Sequence, residues 1–327
     1  MTWHGRVPDV LTGIGEFDLI ARIRARAHTH AGVALGIGDD AALLQVPAGL
    51  QLVVTADTLN AGVHFPVDAL PADIGWKSLA VNLSDLAAMG ATPAWCTLSL
   101  SLPQVESAWI DAFLDGFLAL ADLHGVSLVG GDTTHGPLSI AVTAMGLVES
   151  GAALRRDGAR IGDDIWVTGT LGDAAAALQC LQEMRAVSSA LKARLDRPTP
   201  RIAAGQRLSG LASSCVDISD GLLADLAHVC QRSGVGAEIE LLRLPASPAL
   251  SVWQDELRWP LQASGGDDYE LCFTAAPRNR ELVVQALDFT GVPATRIGRI
   301  VAGQGVQAFD AQGKPWHSVR PGYEHFL

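Results

Sequence analysis

The stretch that decides the fold class is Gly36-Ile-Gly-Asp-Asp-Ala-Ala42, which is followed by the apolar run Leu50–Ala56 and then by Asp57. On spacing alone, the glycines and the later acid resemble a dinucleotide-binding fingerprint. In that fold, however, backbone N–H groups at a helix N-terminus hold a pyrophosphate, and Asp39 and Asp40 would stand against that anion. Pro47 would also end the required helix after only a few residues. The stretch therefore argues against a Rossmann-type dinucleotide domain.

Aspartates beside glycine, or at the ends of apolar runs, recur along the chain. A single Gly-Asp pair is usually an ordinary turn, because both residues suit turn conformations. Taken together, such acids packed into one cleft would repel one another unless cations lay between them. Oxygen ligands without a His or Cys cluster suit Mg²⁺, which binds a few carboxylates together with phosphate oxygens and water. The pattern therefore predicts a phosphate site with several Mg²⁺ ions, and the acids concerned are Asp40, Asp57, Asp85, Asp132, Asp217, Asp220 and Asp267.

The composition limits the class of protein. The chain has 327 residues and a net charge of −12, with 49% hydrophobic and 18% charged residues. These values are typical of a globular protein of about two domains, and we place the boundary between residues 1–149 and 150–327. The acidic balance argues against nucleic-acid binding, and no apolar run is long enough for a membrane span. The five scattered cysteines include no C-x-x-C pair, which favours a reducing, cytoplasmic location.

Periodicity predicts alternating helices and strands in both halves, so the fold class is α/β or α+β. The predicted helices are 72–89, 106–123, 173–184, 221–232 and 279–287. The predicted strands are 50–56, 126–129, 138–148, 164–167, 215–218, 237–242, 270–274 and 295–301. In the polar segment 185–206, Pro198 and Pro200 forbid a continuous helix, so we expect a crossing or partly mobile connection there.

Several familiar catalytic motifs are missing from the sequence. The nine histidines form no H-E-x-x-H pattern, and there is no G-x-S-x-G elbow. Gly313-Lys314 is followed by Pro315, which excludes a phosphate-binding P-loop. Phosphoryl transfer would therefore require a different way of holding phosphate.

The sequence leaves the roles of two basic sites open. Lys77 lies eight residues before Asp85, which puts both near one face of the predicted helix. It is either a surface lysine or a cleft-lining partner of that acid. Arg155 and Arg156, just after the domain boundary, are either solvated charges or a phosphate clamp.

Long motifs in a fixed order resemble the thiamine-monophosphate kinase family. This family belongs to the superfamily that contains aminoimidazole ribonucleotide synthetase and selenophosphate synthetase. The resemblance runs from Gly15 to Phe326. The motifs are Gly36-Ile-Gly-Asp-Asp-Ala-Ala42, Thr55-Ala-Asp57-Thr, Gly62-Val-His64-Phe, Asn82-Leu-Ser-Asp85, Gly130-Gly-Asp132-Thr-Thr, Asp217-Ile-Ser-Asp220-Gly-Leu, Ser264-Gly-Gly-Asp-Asp-Tyr-Glu-Leu271 and Gly322-Tyr-Glu-His-Phe326.

The resemblance implies a fold and a reaction. The N-terminal domain would form a β-barrel with its mate across a homodimer, and a C-terminal α/β domain would pack beside it. ATP and thiamine monophosphate would be the substrates, thiamine diphosphate and ADP the products, and several Mg²⁺ ions would take part. An acceptor that is already an ionised phosphate needs no strong general base, which agrees with the absence of a Ser/His/Asp or Cys/His set.

The resemblance also implies roles for individual residues. The catalytic acids would be Asp57, Asp85, Asp132 and Asp220. Gly131, Arg156 and Ser219 would contact the nucleotide, and His64 and Asp267 would contact thiamine monophosphate. The metal ligands would be Asp40, Thr55, Asp57, Asp85, Asp132, Asp217 and Asp220.

Two positions depart from the family pattern. Asp267 stands where many relatives have glutamate, and Arg320 stands where some relatives have an aromatic residue that packs on thiamine. Trp316 could replace that aromatic side chain only if the loop is rearranged. Two alternatives to the proposed activity also stand. One is another ATP-dependent phosphotransferase of the superfamily, although a selenophosphate synthetase is disfavoured because the first cysteine is Cys96. The other is a catalytically idle binding module.

Overall fold

The computed structural model describes residues 15–318 and Gly322. Arg320 therefore lies outside the described residues, as does the end of the last motif. The first half contains α1 (Glu16–Arg26), β1 (Val33–Leu35), β2 (Leu43–Leu44), β3 (Leu50–Asn60), α2 (Pro71–Ala88), β4 (Thr92–Leu102), α3 (Ser107–Leu123), β5 (Ser127–His135) and β6 (Ser139–Glu149).

Among the described residues, the second half contains β7 (Asp164–Thr168), α4 (Asp173–Gln182), α5 (Ser189–Asp196), α6 (Ile202–Leu208), β8 (Ser214–Asp217), α7 (Leu222–Ser233), β9 (Gly236–Glu240), α8 (Asp255–Ser264), β10 (Leu271–Ala275), α9 (Arg280–Asp288), β11 (Ala294–Val301), β12 (Gly305–Phe309) and β13 (Pro315–Trp316).

The first half is built around a four-stranded sheet in the order β3-β6-β4-β5. β4 and β5 are parallel and are joined through α3, whereas β6 is antiparallel to both of its neighbours. Helices α2 and α3 pack against each other and cover one face of this sheet with apolar side chains. α2 leads from the edge strand β3 to the internal strand β4, and this connection brings polar residues of α2 close to β3.

The other face of this sheet, which we call the open face, is only partly covered by the described residues, which bury Trp95 of β4 against Ala31 and Gly32. Leu52 and Val54 of β3 are 43% and 56% exposed. Cross-strand pairing extends this face over β6 and β4. Its members are Leu52, Val54, Ala56 and Thr58 of β3, Ala141, Thr143, Met145 and Leu147 of β6, and Thr97, Ser99 and Ser101 of β4.

The second half is built around a seven-stranded sheet in the order β13-β12-β9-β11-β7-β10-β8. Its neighbours are antiparallel except for β9 and β12, which run parallel. One large apolar core joins the two halves, since Leu83 of α2 and Phe273 of β10 belong to the same buried cluster. Among the described residues, no helix has the length and apolar character needed to cross a membrane.

Most predicted elements are present, but the predicted ends of two strands were wrong. β3 continues past Asp57 to Asn60, and β5 continues past the Gly130-Gly131 pair to His135. Asp57 and Asp132 therefore lie within strands and do not follow them. Backbone pairing with the neighbouring strands fixes these elements, so a polar side chain within the strand does not end it.

The sequence also left several elements unpredicted, including α1, β4 and α8. β4 begins at Thr92-Pro93, so its proline obscured a strand that is internal to the sheet. In the 185–206 segment, the break at the prolines is confirmed, because α5 ends at Asp196 and α6 begins at Ile202.

Candidate active site

A large cleft of about 1010 Å³ lies where the two halves meet. One wall is the end of β3, the loop after it and the polar side of α2. The other wall is α4, the loop before α7 and the loop between α8 and β10. Its charged or titratable lining residues are Asp57, His64, Lys77, Asp85, Glu183, Asp217, Asp220, Asp267 and Tyr269.

Helix α2 carries polar side chains that are buried, which is unusual for a helix that packs in a core. Asn82 is fully buried, accepts a hydrogen bond from the Asp57 N–H (3.1 Å) and donates one to the Ser78 carbonyl (3.1 Å). Ser84 donates to the Asp217 carboxylate at 2.8 Å. These bonds tie α2 to β3 on one side and to β8 on the other, so that acids from both halves face the cleft.

Four of the predicted metal ligands line the cleft together, namely Asp57, Asp85, Asp217 and Asp220. Burial, followed by the charges of Asp85 and Asp220, raises the pKa of Asp57 to about 6. Burial and the nearby Asp85 raise the pKa of Asp217 to about 8. Burial also raises the pKa of Asp85, although the hydrogen bond from Thr55 opposes this shift. The cluster therefore contains more negative charge than its surroundings compensate.

The donor set of this cluster fits Mg²⁺ by its chemistry, because it consists of oxygen atoms. Within residues 15–318, no three His, Cys, Asp or Glu side chains already lie in a metal-binding arrangement. Mg²⁺ commonly takes only one or two carboxylates and completes its shell with water and phosphate oxygens. A substrate phosphate would therefore have to supply part of the coordination.

Arg156 is the cation that acts on this cluster from the second half. Its side chain is exposed, and its charge lowers the pKa of both Asp85 and Asp217. Arg155, in contrast, forms an exposed ion pair with Asp157, with Nε 2.8 Å from Oδ1. Of the two arginines, only Arg156 is thus placed to influence the acids of the cleft.

The loop before α7 holds Ser219 and Asp220 with the help of an acid that the sequence analysis missed. The Asp225 carboxylate accepts hydrogen bonds from the N–H groups of Ser219, Asp220 and Gly221, at 3.0, 3.1 and 3.2 Å. Burial raises the pKa of Asp225 to about 7. An acid in the first turn of a helix that begins after glycine is a capping signal, and this signal could have identified Asp225.

The loop between α8 and β10 packs directly against the Ser219 loop. The Asp267 N–H donates to the Ser219 carbonyl at 2.9 Å, and the Tyr269 N–H donates to the Ile218 carbonyl at 2.8 Å. A Cβ atom on Gly266 would lie 2.5 Å from the Ser219 carbonyl oxygen, so glycine is required for this approach. Asp267 reaches the cleft, as does His64 from the loop after β3, where its Nδ1 accepts the Asn60 N–H at 3.0 Å.

Lys77 is the second functional candidate whose surroundings the sequence left open. It is buried and lines the cleft, and its Nζ lies 3.1 Å from Oδ2 of Asp267. The expected neighbour, Asp85, lines the same cleft, but the ion pair is formed with an acid 190 positions away in the chain. Helical spacing predicted correctly that Lys77 and Asp85 face the same way on α2. It could not predict an ion-pair partner from the other half of the chain.

Five predicted site residues are not among those that line this cleft within the described part of the chain. Two of them act on its acids from beside it, since Thr55 bonds to Asp85 and Arg156 lowers the pKa of Asp217. Asp40 is exposed near β2, and Gly131 and Asp132 lie on β5, at the sheet edge opposite β3. Gly131 has a φ of 152°, and a Cβ atom there would lie 1.8 Å from the Leu98 carbonyl oxygen. The close packing of β4 and β5 therefore explains why position 131 is a glycine. Trp316 lies on β13, at the far edge of the other sheet.

Comparison with known proteins places both halves in one family. Residues 38–148 match the AIR synthase related protein N-terminal domain, and residues 160–311 match the corresponding C-terminal domain. Thiamine-monophosphate kinase from Escherichia coli K12 is 49% identical over 321 residues, which cover 95% of this chain and 98% of that protein.

Solved structures give the same result. The crystal structure of thiamine-monophosphate kinase from Stenotrophomonas maltophilia K279a has a TM-score of 0.85 and 55% identity, and the match covers 93% of this chain and 98% of the other. A structure of AaThiL complexed with AMPPCP and TMP has a TM-score of 0.76 and 36% identity, over 95% and 97% of the two chains. The two-domain α/β architecture is therefore shared with these proteins.

Proposed function

The chain belongs to the thiamine-monophosphate kinase family of AIR synthase related proteins, and from this premise we propose that it transfers the terminal phosphoryl group of ATP to thiamine monophosphate, forming thiamine diphosphate and ADP. The observation that carries the proposal is the cleft between the two halves, where a cluster of acids, two of them with pKa values raised by burial, lies near His64 and Asp267. A relative 36% identical to this chain is complexed with the ATP analogue AMPPCP and with TMP.

The main difficulty of this reaction is charge, because two phosphate groups must approach each other. The phosphate oxygen of the acceptor is already ionised near neutral pH, so no side chain has to remove a proton from it. The chain must instead orient the two substrates in line and limit repulsion between them. Basic groups near the acids, Arg156 and Lys77, support this role.

We propose that the acids hold Mg²⁺ ions together with the substrate phosphates. Mg²⁺, when bound, supplies positive charge that offsets repulsion between donor and acceptor oxygens. Asp57, Asp85, Asp217 and Asp220, with Thr55, would hold these ions, and the raised pKa values of Asp57 and Asp217 support this assignment. Asp40 and Asp132 are also proposed as ligands, and Gly131, Arg156 and Ser219 as nucleotide contacts, on the resemblance alone.

We also propose a homodimer in which the open face closes into a β-barrel with its mate. The open face contains small, apolar and hydroxyl side chains, with Leu52 and Val54 substantially exposed. A sheet face of this composition is normally buried against another layer. Val54→Asp should convert the dimer to a monomer in analytical ultracentrifugation, whereas a wild-type protein that sediments as a monomer would refute the barrel.

The proposed domain division at residues 149/150 and the proposed cytoplasmic location rest on simpler observations. The two sheets end and begin on either side of that boundary, at Glu149 and Asp164. All five cysteines are buried and none is in a disulfide, which supports a reducing compartment.

The decisive experiment compares acceptors. Purified protein supplied with ATP and Mg²⁺ should convert thiamine monophosphate to thiamine diphosphate. Chromatography of the products measures this conversion. Unphosphorylated thiamine should give no product, because it lacks the ionised acceptor oxygen. ADP release that ignores thiamine monophosphate would instead favour another phosphotransferase of the superfamily, and the absence of any turnover would favour an idle binding module.

A further inference from the structure

The ion pair between Lys77 and Asp267 joins the two walls of the cleft. The Lys77 side chain is only 4% exposed, whereas that of Asp267 is 28% exposed and faces the cleft. Burying an ammonium group without a partner costs free energy. The ion pair therefore holds both side chains in place. The second oxygen of Asp267 accepts a hydrogen bond from the Tyr269 hydroxyl at 3.0 Å. Both carboxylate oxygens are therefore held.

The backbone that carries Asp267 has an uncommon conformation. Asp267 and Tyr269 have φ values of 68° and 49°, in the left-handed region that residues other than glycine seldom adopt. Such conformations persist where the surroundings impose them, and they concentrate at ligand sites. Here the hydrogen bonds to the carbonyls of Ser219 and Ile218 impose them.

The Arg197-Pro-Thr-Pro-Arg201 motif, which the proposed chemistry does not use, fixes both partners of the pair. On the side of Asp267, Arg201 binds the buried Glu270 carboxylate through Nε at 2.6 Å. On the side of Lys77, the Pro198 carbonyl accepts the Trp76 indole N–H at 2.9 Å. Arg197 also binds Asp73 and lies over the Trp76 ring. One short segment therefore anchors α2 next to Lys77 and the strand that follows Asp267.

We propose that Lys77 is a positioning residue for the acceptor, which holds the Asp267 carboxylate in place and offsets its charge in a cleft that receives phosphate groups. This proposal rests on the proposed function. A free Asp267 carboxylate could rotate and would repel an anionic substrate, whereas the paired carboxylate keeps lone pairs with which to accept a hydrogen bond from the amino group of the aminopyrimidine ring. The pair thus sets affinity for the acceptor, with little influence on ATP.

A double-mutant cycle with Lys77→Met, Asp267→Asn and the combined variant tests this role. Each single change should raise the KM for thiamine monophosphate about tenfold, and the double variant should also show about a tenfold increase instead of about a hundredfold. The KM for ATP should stay unchanged. Lys77→Arg, which keeps the charge, should recover much of the lost affinity. Asp267→Asn should melt at a lower temperature than the double variant, because it leaves a buried ammonium group unpaired.

The matched control is the exposed ion pair between Arg243 and Glu240, changed to Met and Gln in the same way. These variants should keep the wild-type KM for both substrates. If Lys77→Met fails to fold, Lys77→Gln replaces it in the cycle. A double variant whose KM is the product of the two single effects would overturn the positioning role, as would a loss confined to kcat. A wild-type protein that makes no thiamine diphosphate would instead overturn the proposed function.

Discussion

Two groups of buried carboxylates, Glu270 and the acids of the cleft, have opposite electrostatic surroundings. Glu270 is fully buried and is held by Arg194 at 2.8 Å, by Arg201 and by the Thr168 hydroxyl at 2.7 Å. In the cleft, burial and the charge of Asp85 raise the pKa values of Asp57 and Asp217, and Arg156 opposes the shift at Asp217 without cancelling it. The arginines of the chain compensate Glu270, whereas the pKa values of Asp57 and Asp217 stay raised.

This difference shows how a buried acid can be interpreted. An acid that is paired within the fold contributes to the fold, and its removal leaves its partners unpaired. An acid cluster without internal compensation costs stability, so its retention indicates a cation supplied from outside. Substitutions in the two groups should therefore affect different properties, with activity lost in the cleft and stability lost at Glu270.

The largest effect is expected for Asp57→Asn or Asp85→Asn. Either change removes a charge from the cleft without changing the volume of the side chain, so kcat should fall by about 10²–10³-fold. The melting temperature should stay the same or rise, because repulsion between buried acids decreases. Product formation and thermal melts measure the two effects, with Asp288→Asn, at an exposed position, as the control. Activity close to that of the wild type would remove these acids from the proposed site.

The next effect is expected for Glu270→Gln, which tests the compensated group. The change leaves Arg194 and Arg201 without a carboxylate partner, so the free energy of unfolding should decrease by about 3 kcal/mol. Urea denaturation followed by circular dichroism measures this loss. If the free energy of unfolding is unchanged, Glu270 does not stabilise the fold. The proposed difference between Glu270 and the acids of the cleft would then be wrong.

A smaller effect is expected from pH and Mg²⁺ together. Asp57, Asp225 and Asp217 have pKa values raised to about 6, 7 and 8, above the ordinary value of about 3.9 in an unfolded chain. Between pH 4 and 8 the folded state therefore binds more protons, and stability falls as pH rises through that range. Melting temperatures in EDTA should decrease from pH 5 to pH 8, and Mg²⁺ should raise them more at pH 8. Equal effects of Mg²⁺ at both pH values would contradict an uncompensated cluster.

The smallest effect is expected for Arg243→Met, which breaks an exposed ion pair with Glu240 at the end of β9. Such pairs are screened by water and salt, so the free energy of unfolding should change by less than about 1 kcal/mol. Urea denaturation measured beside Glu270→Gln provides the comparison. A loss as large as that of Glu270→Gln would mean that burial does not distinguish the two ion pairs.

The sequence predicted the elements with a strong local signal better than those without one. Helix α3 was located to within one residue at its start, because its apolar periodicity is clear and Gly125 follows its end. Strand β4 was missed, because Pro93 and alternating serines conceal a strand whose partners lie elsewhere in the chain. The end of β3 was misplaced for a related reason, since pairing with β6 carries the strand through Asp57.

In the candidate site, too, some residues were predicted from the sequence and others were not. Asp57, Asp85, Asp217, Asp220, His64 and Asp267 were predicted from motifs, and the structure brings them to one cleft. Asp225 was missed although its place in the first turn of α7 is a local signal. Glu270 and the partner of Lys77 were not predicted, because nothing local distinguishes a compensated acid or a lysine that pairs across the cleft. The roles of Asp40, Gly131 and Asp132 stay predictions.

By itself, then, the sequence determined which oxygen-bearing side chains the protein has, that no P-loop or zinc motif accompanies them, and the order of the motifs that identifies the family. These features are local, because they depend on residue type and spacing along the chain. Only the tertiary structure decided which acids share the cleft, which acid is neutralised by arginines and which acid Lys77 binds. Those outcomes depend on burial and on distances between residues from separate parts of the chain, and electrostatic interactions between buried groups are set by such distances and by the exclusion of water.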